Sequence, residues 1–154
     1  MTPQNADIVR GTCVLVEGRG VLLQGPSGSG KSDLALRLLD SGCKLVADDY
    51  VRIEVENGAL LASSPPTIAG LLEVRGLGIL SVPFAERAPL NAIVMCVEPE
   101  TVPRLPESQT VRIHGISLPR YALAPFEPSA AAKLRALMRA LATGGFRNDS
   151  PREN

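Results

Sequence analysis

The sequence predicts an α/β protein, a mixed sheet with flanking helices built around a phosphate-binding glycine loop. Three observations carry this prediction. The stretch Gly25-Pro26-Ser27-Gly28-Ser29-Gly30-Lys31-Ser32 lies between the apolar run Val21-Leu22-Leu23 and a helical pattern over residues 33–40. It fits G-x-x-x-x-G-K-[ST] at every fixed position, in the order strand, loop, helix that gives the pattern its meaning. The apolar run is itself the second arm of a hairpin, so the loop-bearing strand has an antiparallel neighbour and the sheet is mixed. The composition is globular, with 154 residues, 45% hydrophobic and 21% charged, which suits one domain with a full core.

Taken in order, residues 12–17 and 21–24 form that hairpin around Gly18-Arg19-Gly20. A first helix is expected over residues 31–41, with Leu34, Ala35 and Leu38 on its inner face and Gly42 as its stop. Residues 43–47 read as a buried strand ending in Asp48-Asp49, and residues 51–56 and 59–62 as two more strands around Asn57-Gly58, a strong hairpin signal. Ser63-Ser-Pro-Pro-Thr67 forces an extended connection. Residues 71–80 read as one apolar strand holding Glu73, Arg75 and two glycines, residues 83–89 as a loop, and residues 90–97 as a core strand. A proline-rich, exposed stretch over 99–108 precedes a last strand pair, 111–114 and 116–123, around Gly115. Residues 129–142 are an amphipathic helix with Ser129 as N-cap and Gly144 as its end. Residues 1–9 are expected to be flexible, residues 10–143 to form the single domain, and residues 144–154 to be a polar tail.

The charge balance excludes some partners. Sixteen Lys plus Arg match sixteen Asp plus Glu, so no broad basic field attracts nucleic acid or an anionic membrane. With no Trp and 3% aromatics, stacking platforms for single strands are missing too. No apolar run approaches a membrane span, and residues 1–7 lack the parts of a signal peptide, so a cytoplasmic location is expected. Cys13, Cys43 and Cys96 stand singly in apolar stretches and read as small buried hydrophobes under reducing conditions. His114 is the only histidine, which argues against a zinc cluster or a Ser-His-Asp arrangement.

The chemistry follows from the loop. Glycines 25, 28 and 30 let successive backbone N–H groups turn inward on an anion, at the positive end of the next helix. Lys31 would bridge β- and γ-phosphates and Ser32 would place a hydroxyl on the nucleotide's Mg²⁺. A plain Gly/Ser turn would not need a Lys-Ser pair at its exit. Asp48 and Asp49 fall at the strand edge where ligands collect in α/β sheets. There one can help hold the metal while the other accepts a proton from an attacking hydroxyl; alternatively, the pair simply caps a strand. Strand alternation puts Glu73 and Arg75 on one face, where Mg²⁺ and a phosphate would partner them, or they would partner each other.

Three blocks together, Gly25-Pro-Ser-Gly-Ser-Gly-Lys-Ser-Asp-Leu-Ala-Leu-Arg-Leu38, Gly42-Cys-Lys-Leu-Val-Ala-Asp-Asp49 and Leu71-Leu-Glu-Val-Arg-Gly-Leu-Gly-Ile79, resemble the catalytic domain of HPr kinase/phosphorylase. That bacterial family phosphorylates a serine of HPr, the phosphocarrier of the sugar phosphotransferase system, and can remove the phosphate again. The resemblance implies a fold like that of phosphoenolpyruvate carboxykinase, ATP and Mg²⁺ as cofactors, an HPr-like protein partner and a homo-oligomer, a hexamer. It implies that Asp49 is the general base toward serine and the acid in the reverse phosphorolysis. Lys31 would hold the transferred phosphoryl group. Ser32, Glu73 and Asp48 would be the metal ligands, with Arg75 in the signature strand and Arg104 neutralising charge in transfer. Family members carry His where this chain has Arg10, and the segment after Gly78 is shorter than in the long, two-domain forms, so the chain looks like a short, single-domain form. The alternatives are a small-molecule kinase or carboxykinase-like enzyme, and a nucleotide-binding regulatory module without turnover.

Overall fold

The computed structural model describes residues 7–147. The chain opens with β1 (Asp7–Val16) and β2 (Arg19–Gln24), followed by α1 (Lys31–Asp40), β3 (Lys44–Glu56) and β4 (Ala59–Ser63). Next come β5 (Leu71–Val74), β6 (Gly78–Ser81), β7 (Arg87–Cys96), β8 (Thr110–Ile113), β9 (Ile116–Leu123) and α2 (Ala130–Thr143). Three hairpins share one device: Glu17-Gly18, Asn57-Gly58 and His114-Gly115 each turn in two residues, and all six residues have positive φ. Two successive left-handed residues match the twist of the flanking strands, and the glycine carries the second at no steric cost. His114 is therefore a turn residue.

Seven strands form one mixed sheet in the order β2-β1-β3-β4-β7-β9-β8, with β5 and β6 as a separate hairpin. β7 is the hub. Its one edge runs parallel to β2, while its other edge pairs first with β4, antiparallel, and then with β9, parallel. Because β2 also pairs with β1, the strands β2, β1, β3, β4 and β7 close on themselves. The two faces of the sheet consequently bury two cores. One holds Val14, Val21, Leu23, Leu45 and Val94 against Leu34 and Leu38 of α1 and Leu134 and Met138 of α2. The other holds Cys13, Leu22, Ile53, Leu60 and Ile93, all from strands, where the sheet curls over itself. Strands buried on both faces read as unbroken apolar runs, as Val21-Leu22-Leu23 does.

α1 buries Leu34, Ala35 and Leu38 as expected, and the N–H groups of Gly42 and Cys43 close its end on the carbonyls of Leu39 and Leu38. Arg37 on its outer side donates to Asp33 and to the carbonyls of Pro125 and Glu127, tying the segment before α2 to α1. α2 starts after Ser129, whose side chain makes no capping bond, and ends at Gly144.

Four expectations need correction. The break at Asp48-Asp49 does not occur: β3 runs thirteen residues straight through the pair, because β1 continues alongside with Thr12 opposite Asp48 and Gly11 opposite Asp49. Residues 71–80 are not one strand but the hairpin β5–β6, reversing at Arg75-Gly76-Leu77, so Arg75 sits in a turn and does not share a strand face with Glu73. The loop after residue 83 ends earlier than expected, since Arg87, Ala88 and Pro89 already pair with β4. At the termini, β1 begins at Asp7, inside the segment expected to be flexible, and Phe146 stacks on Tyr121 with ring centroids 5.8 Å apart. The remaining parts of both predicted terminal segments, residues 1–6 and 148–154, lie outside the described residues.

Candidate functional site

The site grows out of the turn between β2 and α1. Gly30 precedes α1 in a left-handed conformation, φ 105°, and a Cβ there would come within 2.8 Å of Pro125 and 3.1 Å of the Phe126 ring. Glycine at this position is thus demanded by both backbone and packing. The loop carbonyls of Gly25 and Pro26 accept from Lys31 Nζ at 2.7 and 3.1 Å, so the ammonium is folded back over the loop.

β3 supplies the acids. Asp48 is 9% exposed and accepts from Thr12 Oγ1 at 2.9 Å, and from the backbone N–H of Glu73 at 3.1 Å. Burial pushes its pKa above the ordinary carboxylate value; the two hydrogen bonds oppose this, and the nearby charges of Asp49 and Glu73 add to it. Asp49, the next residue, turns the other way. It has φ 73°, is exposed, and its Oδ1 accepts from Arg10 Nη2 at 2.8 Å. Arg10 also lies over the Tyr50 ring, 4.8 Å from its centroid.

These groups line one cleft of about 1170 Å³. Of the residues singled out in the sequence, Gly25, Pro26, Ser27, Gly28, Gly30, Lys31, Ser32, Asp48, Asp49, Glu73 and Arg75 all line it. Arg75 reaches it from the β5–β6 turn, with Nη2 3.9 Å from where a Cβ on Gly28 would stand. Two do not line it. Ser29 points the other way, its Oγ buried without a hydrogen-bond partner. Arg104 is exposed in the loop between β7 and β8, outside the cleft. Sequence reasoning missed Thr12 and Phe126, which also line the cleft, and noted Arg10 only as a departure from a pattern. Nothing local marks Thr12; only its register opposite Asp48 does.

The donor set at the acidic end is oxygen alone: the hydroxyl of Ser32 and the carboxylates of Asp48 and Glu73. Hard oxygen donors suit Mg²⁺. Among the described residues no group of three or more His, Cys, Asp and Glu side chains forms a ready metal cage. The charges of Asp49 and Glu73 both act against ionisation of Asp48, an effect that a bound cation would offset. The thiols take no part. Burial pushes Cys13 to about 12 and Cys96 to about 11, so both stay protonated at neutral pH, and Cys43 is half-buried and raised as well.

A mixed sheet with a glycine loop between strand and helix, and acids gathered at the loop's mouth, defines a class of α/β proteins organised around one cleft. Comparison with known proteins narrows the class. The model of the HPr Serine kinase C-terminal domain family matches residues 3–87. The chain belongs to that family. HPr kinase/phosphorylase of Clostridium tetani (strain Massachusetts / E88) is 52% identical over 75 residues, 49% of this chain and 25% of that protein. The Geobacillus sp. (strain WCH70) HPr kinase/phosphorylase is 52% identical over 75 residues, 48% of this chain and 24% of that protein. The matched part therefore spans about a quarter of the length of these relatives. The solved structure of the Hpr(Ser) kinase/phosphatase from Coxiella burnetii superimposes with a TM-score of 0.80 at 27% identity, over 90% of this chain and 93% of that one. No helix among the described residues is long and apolar enough to cross a membrane.

Proposed function

We propose that the chain is an ATP- and Mg²⁺-dependent protein-serine kinase that phosphorylates HPr or an HPr-like phosphocarrier, and that it also removes the phosphate from the phosphoserine by phosphorolysis. The observation that carries this reading is that Lys31, at the start of α1, and Asp49, inside β3, line the same cleft.

The roles follow from chemistry. Residues 25–30 would hold the phosphates through backbone N–H groups. Lys31, whose ammonium now donates to two loop carbonyls, gains a charged acceptor when a triphosphate enters. Asp49 is an exposed carboxylate, open to a serine on a second protein, and takes the hydroxyl proton as the oxygen attacks the γ-phosphorus and ADP leaves. Arg10 holds that carboxylate in place. Arg75 faces the loop and is suited to an equatorial phosphate oxygen. Ser32, Asp48 and Glu73 would hold Mg²⁺, which when bound neutralises charge on the β- and γ-phosphates. In the phosphorolysis an oxygen of inorganic phosphate attacks the phosphoserine phosphorus, the bond to the serine oxygen breaks, Asp49 gives its proton to that oxygen, and pyrophosphate leaves. The same family membership underlies the proposals of a cytoplasmic, homo-oligomeric enzyme.

Incubation with ATP, Mg²⁺ and purified HPr tests the proposal; phosphoserine on HPr supports it. ATP binding with no transfer to HPr would favour a second reading, a nucleotide-binding module without turnover, which draws on the Arg10–Asp49 ion pair already engaging the base.

A further inference from the structure

Behind the glycine loop lies a second groove, of about 550 Å³, on the side away from the acids. Cys96, Val97, Pro99, Ala124, Pro125 and Phe126 supply half of its lining residues, from the ends of β7 and β9 and the segments that follow them. It is continuous with the main cleft: Pro26, Ser27, Gly28 and Phe126 line both. We infer that this groove seats the nucleoside half of the nucleoside triphosphate whose phosphates lie on the loop, with Phe126 as its stacking surface. This deepens the proposed function and rests on it.

The first argument is direction. Asp48, Asp49 and Glu73 line only the main cleft, so the reacting end of a triphosphate, with its cation, belongs there. A chain of phosphates laid along the loop must then carry its other end toward the opposite mouth, where the groove opens. The second is chemistry. The groove is largely apolar, as a planar base requires, and its volume falls in the ordinary range for small-ligand sites of about 300–1,000 Å³. Its charged lining residue, Glu98, can accept from an exocyclic amine or a ribose hydroxyl, and Ser29 Oγ lies on the same side, buried and without a partner.

The third argument is Phe126 itself. It is 67% exposed and lines both the main cleft and the groove, so its ring is open to a ligand in either. Yet it is held in place: Arg37 donates to the carbonyls on either side of it, those of Pro125 and Glu127, and its ring sits where a side chain on Gly30 would have to go. A rigid, exposed aromatic beside a phosphate-binding turn is what base stacking needs.

The test compares ATP with inorganic tripolyphosphate, which shares the phosphates and lacks the nucleoside. Both are titrated calorimetrically into the full chain with Mg²⁺, using wild type, Phe126→Ala and Phe126→Tyr. Wild type should bind ATP more tightly than tripolyphosphate. Phe126→Ala should weaken ATP roughly tenfold while changing tripolyphosphate by less than about twofold, and Phe126→Tyr, which keeps the ring, should restore ATP binding. Equal loss for both ligands in Phe126→Ala would mean that the ring only props the loop, and would overturn the inference. So would unchanged ATP affinity, or a wild type that binds the two ligands alike. A wild type that binds neither would remove the proposed function itself, and this inference with it.

Discussion

Replacing Asp49 by Asn separates chemistry from structure at this site. Asp49 occupies a left-handed backbone conformation, φ 73°, that Asn tolerates as well as Asp does, whereas Asp49→Ala would add roughly 1 kcal/mol of strain or more. The ion pair with Arg10 is lost, but its two side chains are 69% and 55% exposed, so the melting temperature should move only slightly. Asp49 is not among the proposed metal ligands, so affinity for ATP and Mg²⁺ should be retained. What disappears is the proton acceptor, worth about 10²–10⁴ in rate, or about 3–5 kcal/mol of barrier. The assay is kcat/KM for phosphoserine formation on HPr, with ATP binding and thermal melting measured on the same preparations. A transfer rate within about threefold of wild type, with ATP still bound, would show that another group takes the proton. A parallel loss of ATP binding would instead make Asp49 a structural support for the cleft.

Asp48→Asn keeps both contacts in amide form, its oxygen accepting from Glu73 N–H and its nitrogen donating to Thr12. Burial raises the Asp48 pKa in the folded chain, so the unfolded chain gives up its proton first as pH rises. The folded wild type should then lose stability, relative to Asp48→Asn, from about pH 4 upward through the raised value; parallel curves of melting temperature against pH would refute the assignment. Lys31→Ala should weaken both ATP and tripolyphosphate by about tenfold or more and leave the melting temperature near wild type, since the ammonium's present partners are only two loop carbonyls. Unchanged tripolyphosphate binding would remove Lys31 from the phosphate site. If Glu73 is a metal ligand, Glu73→Gln should weaken Mg²⁺ by about tenfold, read by calorimetry in the presence of ATP as well as by activity. An unaltered Mg²⁺ titration would leave Glu73 with its backbone contact alone.

Much of the fold was legible because its signals are local. The loop at 25–32, the α1 face of Leu34, Ala35 and Leu38, the hairpin at Asn57-Gly58 and the Gly144 stop each depend on residues within a few positions of one another. Errors came where one local signal had two readings. Asp48-Asp49 reads as a strand end because Asp disfavours strands, yet a neighbouring strand paired on through it. Leu71-Leu-Glu-Val-Arg-Gly-Leu-Gly-Ile-Leu80 reads as one strand by its apolar content, yet Gly76 and Gly78 let it fold back as a hairpin. Arg75 moved from strand to turn, and still reached the cleft.

The amino-acid sequence alone determined the phosphate-site candidate and the sheet-and-helix plan, because a glycine loop, an X-Gly turn and an amphipathic face are written in neighbouring residues. Only tertiary structure decided which side chains meet in the cleft. Thr12 and Asp48 are 36 residues apart, Asp48 and Glu73 are 25 apart, and Arg10 and Asp49 are 39 apart. Those contacts follow from strand register and from the packing of the β5–β6 hairpin beside β3. Register is set by burying two cores at once, a condition imposed by the whole chain and visible in no single stretch of it.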